Sequence, residues 1–158
     1  MKIYISVDME GGSGVASALH MKDGGYNRMV KILTQEVNAA IAGAFEAGAT
    51  EVLVNDAHGS MTNILIEDLD ERAELISGSN KQLLQMEGID ASFAAAFFIG
   101  YHAHEGHDDA VMNHTISGVA VTEIRRNGIV VGETAINAGI AGSYGVPVVL
   151  VADRKSVV

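Results

Sequence analysis

The feature that most restricts the fold is an alternation of period near the start of the chain. Ile3-Tyr4-Ile5-Ser6-Val7 is a β-prone run. A helical pattern follows from about Tyr26 to Ala47, with Val30, Leu33, Val37, Ile41, Ala44 and Phe45 on one face and Gly48 placed to cap its end. Glu51-Val52-Leu53-Val54-Asn55 then reads as a second buried strand. Two strands joined through a helix lie parallel with a right-handed crossover. Such a sheet has to be covered on both faces.

Further along, Ala94 to Ile99 reads as a third core strand and Val148 to Val151 as the last. Gly11 to Gly25 is a loop. Between 60 and 90 the pattern suggests a short helix over Thr62–Leu69, a short strand over Ala73–Ser77 and a short helix over Lys81–Met86. Val119 to Arg126 alternates as a strand, and Asn127-Gly128 turns it into Ile129-Val130-Val131 as a hairpin. Gly132-Glu133-Thr134 opens a small-residue helix to about Tyr144. The expected fold is α/β, a mainly parallel sheet flanked by helices with an added antiparallel hairpin, forming one domain over 1–153 and a divergent tail over 154–158.

At 158 residues and 48% hydrophobic content the chain can bury a real core. A net charge of −10 without Lys/Arg clusters argues against nucleic acid and anionic membranes as partners, yet suits several cations. With no cysteine, disulfides and thiolate metal sites are excluded, and a cytoplasmic location is expected. The N-terminus lacks a signal-peptide pattern, and no apolar run is long enough to span a bilayer.

The chemistry-bearing residues gather at strand ends. The first strand delivers Asp8 and Glu10, two residues apart and therefore on one side of an extended chain; the second delivers His58, and the third His102. In open parallel sheets ligands bind beyond the strand C-termini. Five of the six histidines, all but His20, fall in or shortly after these loops. Each residue alone has a plainer explanation: solvated acids at a strand end, His58 capping a turn, a structural His102, Glu133 complementing a helix dipole, and a solvated polar loop over His104, His107, Asp108 and Asp109. Together, carboxylates and imidazoles without thiols suit Zn²⁺, Mn²⁺ or Co²⁺ better than Ca²⁺ or Mg²⁺. Two ions could share Asp8, activate water and polarise a carbonyl or phosphoryl group. The glycine loop 11–14 fits neither the dinucleotide nor the P-loop spacing, and no nucleophile elbow is present.

Six stretches, Ser6 to Gly11, Glu51 to His58, Gly100 to Ala103, Val111 to Thr115, Gly132-Glu133 with Asn137-Ala138, and Val146 to Val148, resemble the D-aminopeptidases of the dipeptide-transport type, which are binuclear zinc peptidases. The resemblance spans essentially the whole chain. It implies metal ligation of two Zn²⁺ per subunit by Asp8, Glu10, His58, His102 and Glu133, with His114 as the catalytic histidine. It also implies hydrolysis of short peptides bearing an N-terminal D-amino acid, D-alanine especially, and a ring-shaped homo-oligomer. Members of that family continue past the strand of Val148–Val151, whereas residues 154–158 do not resemble the continuation. Two rival readings use the same ligands: a dinuclear phosphoesterase, and a non-catalytic metal-binding or assembly module. The acidic loop from Glu105 to Asp109 could attract a substrate amino group.

Overall fold

The computed structural model describes residues 1–153; the divergent tail, 154–158, lies outside the described residues. Strands β1 (Lys2–Val7), β2 (Glu51–Asp56), β3 (Ala73–Ile76), β4 (Phe93–Tyr101) and β7 (Val148–Asp153) form one parallel sheet in the order β3-β2-β1-β4-β7. A separate antiparallel pair, β5 (Arg125–Arg126) with β6 (Ile129–Val130), turns at Asn127 and Gly128, both at positive φ as a type I′ turn requires. Helices α1 (Asp23–Glu46) and α2 (Glu133–Ser143) complete the frame. The expected α/β architecture with its added hairpin is the observed one.

β1 sits at the centre, and its alternation separates two cores. Ile3, Ile5 and Val7 pack with Val30, Leu33, Val37 and Ile41 of α1, the face predicted from the helical period. Tyr4 joins Phe98, Tyr101, Met86 and Ala141 in a second cluster that includes α2. The central three strands are β2, β1 and β4, so the chain ends that carry Asp8, His58 and His102 are neighbours.

Several expected elements differ. Residues 62–69 form turns and irregular chain, not a helix. The buried Asp56 carboxylate accepts the Asn63 and Ile64 N–H groups at 2.5 and 2.7 Å, holding backbone donors that a helix would have used elsewhere. Over 81–86 only Leu84–Met86 is helical, as a 3₁₀ turn. Of the strand expected over 119–126 only Arg125–Arg126 pairs, and Val119 is fully exposed, with no neighbouring strand to reward its alternation. α1 begins at Asp23, after a 3₁₀ turn over Ala18–Met21 within the glycine loop.

Candidate metal centre

β1 and β4 cross closely where the site begins. The Asp8 N–H donates to Ile99 O and the Gly11 N–H to Gly100 O, each at 2.8 Å. A Cβ on Gly11 would lie 1.6 Å from the Tyr101 carbonyl oxygen, and one on Gly100, at φ +71°, would lie 2.2 Å from Asp8 O. Only glycine allows this approach. It carries the chain out of β1 into a tight turn, closed by Gly12 N–H to Met9 O at 2.9 Å, and keeps both acids beside His102.

Asp8, Glu10, His58, His102, His114 and Glu133 all meet at the C-terminal edge of the sheet. His58 Nδ1 stands 3.2 Å from Asp8 Oδ1 and 2.9 Å from Glu10 Oε2. His102 Nε2 stands 3.4 Å from Asp8 Oδ2 and 3.5 Å from Glu133 Oε1. His114 Nε2 is 3.6 Å from Glu10 Oε1 and 3.9 Å from Glu133 Oε1, and its ring stacks on that of His102 at 4.1 Å. Asp8 is thus shared by two groups that could each hold an ion, Asp8–Glu10–His58 and Asp8–His102–Glu133.

Hydrogen bonds on the far side of the rings set their orientation. His102 Nδ1 lies 2.9 Å from Ala103 O and His114 Nδ1 lies 3.0 Å from Met112 O. A carbonyl only accepts, so both Nδ1 atoms carry the proton and both Nε2 lone pairs face the carboxylates, as in metal-ligating histidines. Two acceptors in contact need a cation between them. Asp8 Oδ2 and His102 Nε2 are buried with no hydrogen-bond partner. Three carboxylates with 2–6% exposure therefore face imidazoles across gaps that a divalent metal suits. The donor set fits zinc.

Without metal, protons have to supply the positive charge. Burial disfavours a charged His58, but its hydrogen bonds to Asp8 and Glu10 outweigh that and lift it to about 10. Burial likewise opposes charge on His102, and Asp8 with Glu133 lift it to about 11. Burial would raise Asp8, yet His102 and His58 hold it below the usual carboxylate range; Glu133 is lowered against burial mainly by His102.

Glu133 opens α2, so the helix dipole favours its charge. Its Oε1 accepts the Ile116 N–H at 2.7 Å and its Oε2 accepts from Gln85 Nε2. Behind it runs a buried polar chain. Asn137 Nδ2 donates to Gln85 Oε1 at 2.7 Å and to the Tyr101 hydroxyl at 2.9 Å. That hydroxyl lies 2.7 Å from Ser6 Oγ, which donates to Gln85 O at 2.6 Å. On the opposite side Lys81 Nζ donates to Asn55 Oδ1 at 2.7 Å and Asp56 O at 2.5 Å, and Asn63 Nδ2 donates to His58 O at 2.7 Å.

Gln85 and Lys81 were not singled out by sequence reasoning. The one available signal was a glutamine inside the apolar run Leu83-Leu84-Gln85-Met86. The remaining histidines stand apart. His104 and His107 pair with each other at 5.5 Å, and His20 Nδ1 accepts from the Ala16 N–H at 3.1 Å. The site opens into a cleft of about 240 Å³ lined by Asp8, Glu10, His58, His114 and Glu133 together with apolar side chains. Glu105, Asp108 and Asp109 do not line it.

Comparison with known proteins gives the same direction. A family model described as D-aminopeptidase matches residues 1–158. A curated D-aminopeptidase of Bacillus subtilis (strain 168) is 45% identical over 154 residues, covering 96% of this chain and 56% of that protein. A solved structure, the Zn-dependent D-aminopeptidase DppA from Bacillus subtilis, described as a self-compartmentalizing protease, superposes with a TM-score of 0.95 at 43% identity, covering 99% of this chain and 57% of that one. The chain therefore spans a little over half the length of these relatives. Among the described residues no helix is long and apolar enough to cross a membrane.

Proposed function

The chain belongs to the D-aminopeptidase family, and on that premise we propose that it is a zinc-dependent aminopeptidase acting on short peptides with an N-terminal D-amino acid, D-alanine favoured. The observation that carries this reading is Asp8, whose two oxygens face His58 and His102 separately, the second with no other partner. In this reading Asp8, Glu10, His58, His102 and Glu133 would hold the zinc, two ions per subunit, with Asp8 common to both candidate ligand groups. Bound zinc supplies a Lewis acid for the peptide carbonyl and lowers the pKa of water.

The chain's own groups do the rest. Glu133 is held in place by the Ile116 N–H on Oε1 and by Gln85 Nε2 on Oε2. His114 Nδ1 stays protonated on Met112 O, so Nε2 is the atom that takes a proton from water and returns one to the leaving amine. The side chain is 20% exposed, enough for that Nε2 to meet substrate. A homo-oligomer enclosing the site, in line with DppA being a self-compartmentalizing protease, and a cytoplasmic setting complete the proposal.

Among the described residues no Lys or Arg lines the cleft, which counts against a phosphoesterase. Asp8→Ala and His58→Ala should each abolish bound zinc and the release of D-alanine from D-alanyl peptides, with L-alanyl substrates as comparison. Full turnover by a chelated, metal-free preparation would overturn the reading. Stoichiometric zinc without turnover would favour the non-catalytic module.

A further inference from the structure

Part of the cleft lining is not accounted for by metal chemistry. Beside the acids and imidazoles its lining includes four apolar side chains: Ala57, Met61, Leu84 and Ile116. Three of these four have left-handed backbones, Met61 at φ +59°, Leu84 at φ +49° and Ile116 at φ +63°. For side chains of this size, and above all for a β-branched one, that conformation is strained. Strain of this kind persists only where the surroundings impose it.

The ties that impose it are visible at each position. The Ile116 N–H is held on Glu133 Oε1 at 2.7 Å. The Leu84 carbonyl accepts from Asn55 Nδ2 at 3.3 Å. The Met61 N–H donates to His58 O at 2.7 Å, and its carbonyl accepts from the Gly78 N–H and Ser77 Oγ. Each strained residue is thus tied to a ligand-type residue or to the strand beneath one. Met61 is 8% exposed, whereas Leu84 and Ile116 are each 49% exposed at the cleft. Two large aliphatic side chains half in water, on backbones that resist the conformation, are not there for the core.

We propose that Leu84 and Ile116, backed by Met61, form the subsite that receives the side chain of the substrate's N-terminal residue. This inference rests on the aminopeptidase reading and deepens it. The collar takes an uncharged aliphatic group, which covers Leu84 and Ile116 from water. Selectivity for the residue and ligation of the metal are then carried by different groups lining one cleft.

Amino-acid hydroxamates test this without turnover. Glycine hydroxamate carries the amino group and chelating end but no side chain; D-alanine hydroxamate adds a methyl group. Their affinities for zinc-loaded protein are measured by calorimetry in wild type, Leu84→Ala and Ile116→Ala, with bound zinc quantified in each. The wild type should bind D-alanine hydroxamate about fourfold more tightly than glycine hydroxamate, the contribution of one buried carbon. Each truncation should bring that ratio toward one while glycine hydroxamate affinity and zinc content hold. An unchanged ratio in both variants, with glycine hydroxamate still bound, overturns the collar and leaves the metal reading intact. Failure of wild type to bind zinc or glycine hydroxamate overturns both. An equal loss for both hydroxamates would make these residues supports of the metal site and not a subsite.

Discussion

Gln85 gives the sharpest test of how the site is held. Its amide touches two buried groups at once, donating to Glu133 Oε2 and accepting from Asn137 Nδ2 at 2.7 Å, and it is 8% exposed. In Gln85→Leu the side chain keeps roughly its bulk but loses both contacts. A hydrogen bond to a charged group contributes about 1.5–3 kcal/mol and a neutral one about 0.5–1.5 kcal/mol, so the metal-free protein should lose about 2–4 kcal/mol. Asn137 retains Tyr101 as a partner, which places the expected value toward the lower part of that range. Glu133 would then lose its Oε2 donor and keep, besides the site imidazoles, the Ile116 N–H on Oε1, and zinc affinity should fall about 10–100-fold, the usual cost of removing an outer partner of a ligand. Urea unfolding of chelated protein reads the first quantity; competition with a chromophoric chelator reads the second. If stability moves by less than about 0.5 kcal/mol, the range of an ordinary surface substitution, and zinc affinity is unchanged, the polar chain behind Glu133 does not hold it and the reasoning is refuted.

Three further outcomes are expected. Gly11→Ala places a methyl 1.6 Å from the Tyr101 carbonyl and must push β1 from β4, so thermal unfolding should show a loss above about 3 kcal/mol, with bound zinc lost in any protein that folds. Lys81→Met leaves Asn55 Oδ1 and Asp56 O without their buried donor; denaturation should show a loss of about 2–4 kcal/mol, and zinc affinity should weaken through the His58 loop. In chelated protein His58 and His102 titrate near 10 and 11 in the fold but near 6.5 when unfolded, so between those values the folded state binds more protons. Metal-free stability from these groups is complete below about 6.5 and should fall as pH rises toward 10–11, read as a falling urea midpoint. A flat midpoint from pH 7 to 10 would contradict the proton-filled site.

How much of this was legible in the sequence follows from which contacts are local. β1, β2, β4 and α1 were readable because apolar period alone decides them, and the parallel order then brought Asp8, Glu10, His58 and His102 together. Glu133 and His114 had no such local argument; their place rested on resemblance. The segment 62–69 departs from its helical period because the Asn63 and Ile64 N–H groups are satisfied by Asp56, a partner that periodicity does not register. Gln85 was missed because its partners, Glu133 and Asn137, lie on α2 and meet it only in the folded molecule. The collar was hidden for a different reason. Nothing in the propensities of Met61, Leu84 or Ile116 favours a left-handed backbone, so reasoning residue by residue would place them elsewhere.

The central position of β1 has a consequence for change over time. All six of its residues are paired to β2 on one side and to β4 on the other, so the strand that delivers Asp8 and Glu10 should be among the last to exchange its amide protons. Leu84 and Ile116 sit on short turns outside the sheet, where an altered side chain disturbs little of the core. Reactivity is thereby lodged in the slowest-opening part of the molecule and discrimination in the most replaceable part. A lineage carrying this fold could drift in which residue it accepts while the chemistry beneath stays unaltered.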